Sequence, residues 1–404
     1  MGLKIGIVGL PNVGKSTLFN AIMGKQAALT APYPFATIEP NIGVVDVPDG
    51  RLEKLRNAMF SAGYQSSVIG SRSQVGQFSV SRSQTDKPKT DEPKTEDGKQ
   101  KTDNRIPPLV FSSITFVDIA GLVKGAAEGN GLGNKFLSHI RDVDLILHVL
   151  RDFEAEGIPR HQDSLNPEHD AEIVEMELEL KDLEMREKRD KGNKGNKKNQ
   201  GDEGEEKKLL ANKPVIYAVN VGEEKLQNIS AGYQSSVVGS RLQVSQLSVN
   251  RSTTDKQTTD KQETENGKRK TDNRIFFSAK IEEEITQLPI NEQKEFMKVY
   301  GMETSGLDRI ITECFHKLGL ISFLTAGKIE VKAWPIKKGS TAPQAAGTIH
   351  SDFEKLFIRA EIIEWEKMVE AGSWAEAKNL GWVRTEGRDY LVKDGEVCNF
   401  LIGK

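Results

Sequence analysis

A chain that runs from Leu3-Lys4-Ile5-Gly6-Ile7-Val8 straight into Gly9-Leu10-Pro11-Asn12-Val13-Gly14-Lys15-Ser16-Thr17 has little freedom in how it can fold. The spacing G-x-x-x-x-G-K-[ST] makes a phosphate-binding loop, and each fixed letter has a mechanical reason. The glycines let backbone N–H groups wrap the phosphates, Lys15 reaches the β and γ oxygens, and the Ser16 hydroxyl ligates Mg²⁺. Such a loop works between a strand and a helix whose N-terminus faces the anion. The apolar run before it reads as a short buried strand, and Thr17-Leu18-Phe19-Asn20-Ala21-Ile22-Met23 after it reads as that helix. Asn12, Val13, Gly14, Lys15, Ser16 and Thr17 are therefore expected to cradle a nucleoside triphosphate within an α/β fold.

The 404 residues suffice for two or three domains with a substantial core. A net charge of −3 creates no global basic field, so any nucleic-acid contact must come from a local patch, and DNA is not an expected partner. Cys314 and Cys398 are far apart and lack metal-ligand or redox spacing, which argues for a reducing compartment. The first apolar stretch is the strand of the phosphate loop, and no run approaches membrane-spanning length. A cytoplasmic protein without a membrane partner is expected.

Residues 61–106 and 230–275 align without a gap, from Ser61-Ala62-Gly63-Tyr64 and Ser230-Ala231-Gly232-Tyr233 to Asn104-Arg105-Ile106 and Asn273-Arg274-Ile275. Solenoid units stack on adjacent copies, whereas these copies are widely separated, so the repeat reads as a duplicated insertion. Both copies are rich in Ser, Gln, Thr, Lys and Asp, and the composition predicts disordered surface loops. A third polar stretch, Lys188 to Lys208, reads as a linker or loop tip. Before it, Ile173, Met176, Leu180 and Leu183 recur at helical spacing, predicting an amphipathic helix over 171–187 with this stripe as its packing face.

The remaining parts of a nucleotide switch follow in order. Ile114-Thr115-Phe116-Val117-Asp118-Ile119-Ala120-Gly121 is an apolar strand ending in Asp-x-x-Gly; Asp118 would hold Mg²⁺ and the Gly121 N–H would sense the γ-phosphate. Thr37 lies between the loop and this strand, where a hydroxyl can complete the Mg²⁺ shell. The strand Lys213-Pro214-Val215-Ile216-Tyr217-Ala218-Val219-Asn220 ends on a base-reading position, and ligands of open α/β sheets sit at such ends. Guanine-specific relatives carry Asn-Lys-x-Asp there, whereas this chain has Asn220, Val221 and Glu223, which disfavours guanine. Ser278-Ala279-Lys280 would complete the base site.

These segments resemble the YchF or Obg-like ATPase family. The likeness rests on the phosphate loop, on Phe35-Ala36-Thr37-Ile38-Glu39-Pro40-Asn41, and on Asp118-Ile119-Ala120-Gly121-Leu122-Val123-Lys124-Gly125-Ala126 with Gly131-Leu132-Gly133-Asn134. It continues through Asn220-x-x-Glu223, Phe323-Leu324-Thr325-Ala326-Gly327, Ala342-Pro343-Gln344-Ala345-Ala346-Gly347 and His350-Ser351-Asp352-Phe353-Glu354-Lys355. The resemblance implies a P-loop NTPase domain over 1–150 and 211–305, a short helical insertion over 151–210, and a C-terminal β-grasp (TGS) domain over 306–404. It also implies slow Mg²⁺-dependent hydrolysis of ATP in preference to GTP, and binding to the ribosome through its large subunit and RNA.

Two sequence features agree with the C-terminal domain: alternation over 328–336, and two short strands joined by an Asp-Gly turn over 388–397. Lys328, Lys332, Lys337, Lys338, Lys355 and Arg359 offer a basic face. The roles implied for catalysis fall on Lys15, Thr37, Gly121 and His161, and those for metal on Ser16, Thr37 and Asp118. His161 comes about one residue later than the family spacing, and Leu122 stands where Ras-like GTPases carry a water-orienting glutamine. An Obg-like GTPase and a non-hydrolysing ribosome adaptor remain open alternatives.

Overall fold

The computed structural model describes residues 3–29, 42–60, 106–119, 139–154, 166–192, 212–229 and 274–403. The repeats lie outside these residues except at their C-terminal ends. Contacts divide the chain into two units, one drawn from Met1–Pro48, Phe111–Ser322 and Pro335–Ser340, the other from Asp49–Val110, Phe323–Trp334 and Thr341–Lys404.

The described strands are β1 (Lys4–Val8), β2 (Ile42–Asp46), β3 (Leu109–Val110), β4 (Ser113–Asp118), β5 (Leu145–Asp152), β6 (Val215–Val221), β7 (Arg274–Phe277), β8 (Leu320–Ala326), β9 (Val331–Lys337), β10 (Phe357–Glu364), β11 (Arg384–Glu386) and β12 (Glu396–Ile402). The helices needed below are α1 (Lys15–Leu29), α2 (Gly50–Phe60), α3 (Pro167–Gly192), α4 (Ala279–Gln287), α5 (Ile290–Val299), α6 (Gly306–Lys317), α7 (Ala342–Ile349), α8 (Ser351–Lys355) and α9 (Trp365–Ala371).

The first unit is built on a sheet of order β2-β4-β1-β5-β6-β7. Every pairing in it is parallel except that of β2 with β4. Parallel strands are covered on both faces, and β5 shows it: seven of its eight residues are buried. Ile5, Ile7, Phe116 and Leu147 are fully buried in one core that also takes Leu18 and Ile22 of α1 and Ile310 of α6. Each such side chain contributes about 1.5–3 kcal/mol through burial. This core aligns the C-terminal ends of β1, β4, β5 and β6, where the candidate site lies.

The second repeat runs two residues into the sheet. Arg274 and Ile275 begin β7, and Ile275 is buried against the core, whereas Ile106, ending the first copy, is exposed. The same terminal isoleucine therefore has two fates, decided by whether a strand position is waiting beside β6.

Helix α3 exceeds the predicted length at both ends. Its buried face is Ala171, Val174, Leu178 and Asp182, while Met176, Leu180 and Leu183 are more than half exposed and Ile173 is partly buried. The larger apolar residues suggested the wrong face. A small residue and a β-branched one fit closer to the sheet, and both stripes satisfy helical spacing.

The second unit carries a sheet of order β11-β10-β12-β8-β9-β3. β12 runs parallel to β8 at its centre, and β3, from between β2 and β4 in sequence, adds in parallel to β9 at the edge. Helix α2 belongs here too: Arg51 bonds Asp49 and also reaches Asp394 at 2.7 Å. Over Arg388–Val397 the second predicted strand is the start of β12 at Glu396, whereas the first is a loop with an isolated bridge from Leu391 to Thr341. Side-chain chemistry sets this: the buried Glu396 carboxylate takes bonds from Arg384 and Tyr390, both at 2.6 Å, and from the Lys393 N–H at 2.9 Å. The loop backbone wraps that acceptor instead of pairing as a hairpin.

Candidate functional site

The phosphate loop is shaped by two close approaches. A Cβ on Gly9 would lie 2.6 Å from the Val149 carbonyl of β5, and one on Gly14 would lie 2.4 Å from Asn220 Nδ2. Gly14 has φ +93° and Asn12 φ +63°, the latter one of the few non-glycine types that tolerates the left-handed region. Helix α1 starts at Lys15, with the Leu18 N–H bonded to the Gly14 carbonyl. Ser16 and Thr17 thus occupy its first turn, at the positive end of the helix dipole.

Parallel register places Ile7 of β1 opposite Asp118 of β4, bringing the carboxylate to the loop. Lys15 Nζ sits 3.1 Å from Asp118 Oδ1, and both side chains are largely buried. The Lys15 ammonium and the Asp118 carboxylate are therefore already adjacent. The hard oxygens of Ser16 and Asp118 suit Mg²⁺, which takes one or two protein oxygens and completes its shell with phosphates and water.

Asn220, the penultimate residue of β6, stands opposite Phe277 of β7. Both ends of its amide are engaged: Nδ2 donates to the Val13 carbonyl at 3.0 Å, and Oδ1 accepts from the Ala279 N–H at 3.0 Å. One buried side chain on β6 joins the phosphate loop to the start of α4 at Ser278-Ala279-Lys280. Val221, where guanine-specific relatives carry lysine, is 1% exposed. Glu223 accepts from Lys280 Nζ at 2.7 Å, and this bond first, with the Glu223 charge second, raises the lysine pKa. Ser278 is buried as the N-cap residue of α4, where its carbonyl accepts from the Glu282 N–H at 2.9 Å.

Thr37, Gly121 and His161 lie outside the described residues. Sequence reasoning passed over three buried polar groups in this unit. Arg151, near the end of β5, is 5% exposed; its Nη1 donates to the Asn12 carbonyl at 3.4 Å, its Nε to the Phe153 carbonyl at 3.3 Å, and its guanidinium lies 4.6 Å from the Phe153 ring centroid. An arginine near the C-terminal end of a buried parallel strand is the signal that marks it. His148, earlier on β5, is buried, and desolvation lowers its pKa to about 4 against an opposing pull from Glu175. Glu282 is fully buried and accepts from the Gly306 N–H at 2.6 Å; burial raises its pKa to about 7, partly offset by the Gly306 and Leu307 N–H groups.

The sequence family described as "50S ribosome-binding GTPase" matches residues 4–189, and the YchF-GTPase C-terminal family, described as "Protein of unknown function (DUF933)", matches residues 320–403. The "Ribosome-binding ATPase YchF" of Bacillus subtilis (strain 168) is 36% identical over 438 residues, covering 99% of this chain and 99% of its own length. The protein of the same name from Escherichia coli O157:H7 is 37% identical over 406 residues, again with 99% of each chain covered. The solved Schizosaccharomyces pombe YchF GTPase superposes with a TM-score of 0.68 at 29% identity, over 99% of this chain and 98% of that one. Both halves of the architecture described above, a P-loop GTPase-type α/β unit and a C-terminal unit of mixed sheet, are thus accounted for by one kind of protein, and this chain belongs to the YchF family.

Proposed function

We propose that this chain is a cytoplasmic, ribosome-associated NTPase that binds and slowly hydrolyses Mg·ATP, with GTP the poorer substrate. The observation that carries the reading is the 3.1 Å pair of Lys15 and Asp118 beneath a complete phosphate loop. Those two groups would serve the phosphates and the metal respectively, with Ser16 and Thr37 adding hydroxyl ligands and Mg²⁺ supplying charge neutralisation on the transferred phosphoryl. Thr37 and Gly121 would respond to the γ-phosphate, and His161 is the candidate for orienting water, since Leu122 cannot hydrogen-bond through its side chain.

Preference for adenine is supported by Glu223. Guanine recognition needs a well-placed carboxylate for the N1 and N2 donors, and here the position carries the longer Glu223, whose Oε1 also accepts from Lys280 Nζ. A site that leaves polar partners unpaired discriminates steeply. Asn220, Val221, Glu223, Ser278, Ala279 and Lys280 form the base side in this reading.

Ribosome association is supported by the names of the curated relatives and by a cation on an aromatic platform in the C-terminal unit, proposed as a TGS domain. Lys332 Nζ stands 3.7 Å over the Trp334 ring, a combination suited to RNA of the large subunit. The test is phosphate release from ATP and from GTP, with and without ribosomes, against a Lys15→Ala control. Release from ATP that exceeds the control and rises with ribosomes supports the proposal; release no greater than the control leaves a nucleotide-binding adaptor.

A further inference from the structure

The phosphate loop presents two consecutive carbonyls to the ends of two neighbouring strands. Arg151 on β5 and Asn220 on β6 are register partners. Arg151 Nη1 donates to the Asn12 carbonyl and Asn220 Nδ2 to the Val13 carbonyl, at 3.4 and 3.0 Å. Adjacent side chains therefore brace adjacent peptide groups.

A trans peptide is planar, so its carbonyl and the N–H that follows point in opposite directions. Bracing the Asn12 carbonyl fixes the direction of the Val13 N–H, and bracing the Val13 carbonyl fixes that of the Gly14 N–H. Both N–H groups are then turned away from the strand-end braces. The left-handed conformation of Asn12, with φ +63°, is the local geometry that this arrangement holds in place.

Arg151 is itself held. Its Nε donates to the Phe153 carbonyl at 3.3 Å, and the Phe153 ring lies beneath the guanidinium at 4.6 Å. The Phe153 Cβ in turn stands 4.0 Å from where a Cβ on Gly222 would be, beside the base-reading residues. Val221, with no polar side-chain atom, cannot brace the loop from β6, and the guanidinium on β5 supplies a donor instead.

We infer that Arg151 is a positioning residue: supported by Phe153, it acts through the Asn12 carbonyl and, together with Asn220, sets the Val13 and Gly14 N–H groups for the β-phosphate of the bound nucleotide. The inference rests on the nucleotide-site reading above.

The β-phosphate is common to ATP and ADP, so the test compares the two by calorimetric titration in the full-length protein, with Mg²⁺ present. Arg151→Met is expected to weaken ATP and ADP alike by about tenfold, the scale of one lost buried hydrogen bond to the loop. Arg151→Lys, which keeps a donor, is expected to recover most of that loss, and Phe153→Leu to give a smaller loss, again equal for both nucleotides. Should Arg151→Met fail to fold, the Lys and Leu variants carry the comparison by the same criteria.

Parent-like affinity in Arg151→Met would overturn the inference. So would a loss confined to ATP, which would put Arg151 on the γ-phosphate, or a loss that Lys does not recover and that tracks a lower melting temperature of the free protein. If the parent binds neither nucleotide, the site reading itself falls; if the parent binds and Lys15→Ala does not, the site stands and only the role of Arg151 is judged.

Discussion

Asn220 Nδ2 fills the space where a side chain on Gly14 would begin, 2.4 Å from an ideal Cβ at that position. The glycine therefore has a packing reason in addition to its φ of +93°. Gly14→Ala is expected to lose triphosphate binding in a titration and to lose about 1–3 kcal/mol in denaturant unfolding, because the methyl strains the backbone and displaces the amide that braces Val13.

Asn220→Asp separates the two halves of that brace. A carboxylate can still accept the Ala279 N–H but has nothing to donate to the Val13 carbonyl, which it repels. Affinity for Mg·ATP is expected to fall at least about tenfold, with about 1–3 kcal/mol of stability lost to the unpaired buried groups. Equal affinities in parent and variant would show that the strand end does not set the loop.

Two buried groups in the nucleotide unit should oppose each other as pH changes. Glu282, with its pKa raised from 4.5 to about 7, holds a proton in the folded state over a range where the unfolded chain has released it, so its contribution falls as pH rises from about 4.5 to 7. His148, lowered from 6.5 to about 4, is neutral in the folded state where the unfolded chain is protonated, so its contribution falls as pH drops from about 6.5 to 4. Each slope reaches at most about 1.4 kcal/mol per pH unit. Urea unfolding between pH 4.5 and 6.5 should expose them singly: Glu282→Gln loses stability as pH drops, His148→Gln gains it, and the parent changes less than either.

In the C-terminal unit, Glu396 keeps its Tyr390 and Lys393 donors when Arg384 is removed, and Arg384 is itself partly open to water. Arg384→Met is therefore expected to cost about 1–2 kcal/mol, less than the loss of a fully buried partner. Glu396→Leu removes the acceptor for all three donors and should cost more, as measured by the midpoint of chemical unfolding.

The parts of this molecule that could be read from sequence are those with a fixed chemical spacing. Gly9, Gly14, Lys15, Ser16, Asp118 and Asn220 each do something only one or two residue types can do, and the strands carrying them are short apolar runs. What was hidden depended on long-range register or on choosing between equivalent periodicities. Arg151 acquires meaning only when β5 lies beside β6, and the inward face of α3 could not be chosen from spacing because two stripes fit. Leu109 and Val110 look like any two apolar residues until β9 offers them an edge. Glu282 reads as one of three consecutive glutamates, and its burial is decided by the start of α6 rather than by its neighbours in sequence.

The central claim is that Asn220, Glu223 and Lys280 make an adenine-tolerant base site on a working phosphate loop. Calorimetric titration of the intact protein with Mg·ATP and, separately, Mg·GTP tests it most directly. The account predicts ATP binding tighter than GTP by tenfold or more, and none with Lys15→Ala; GTP binding as tightly as ATP, or more so, would contradict it.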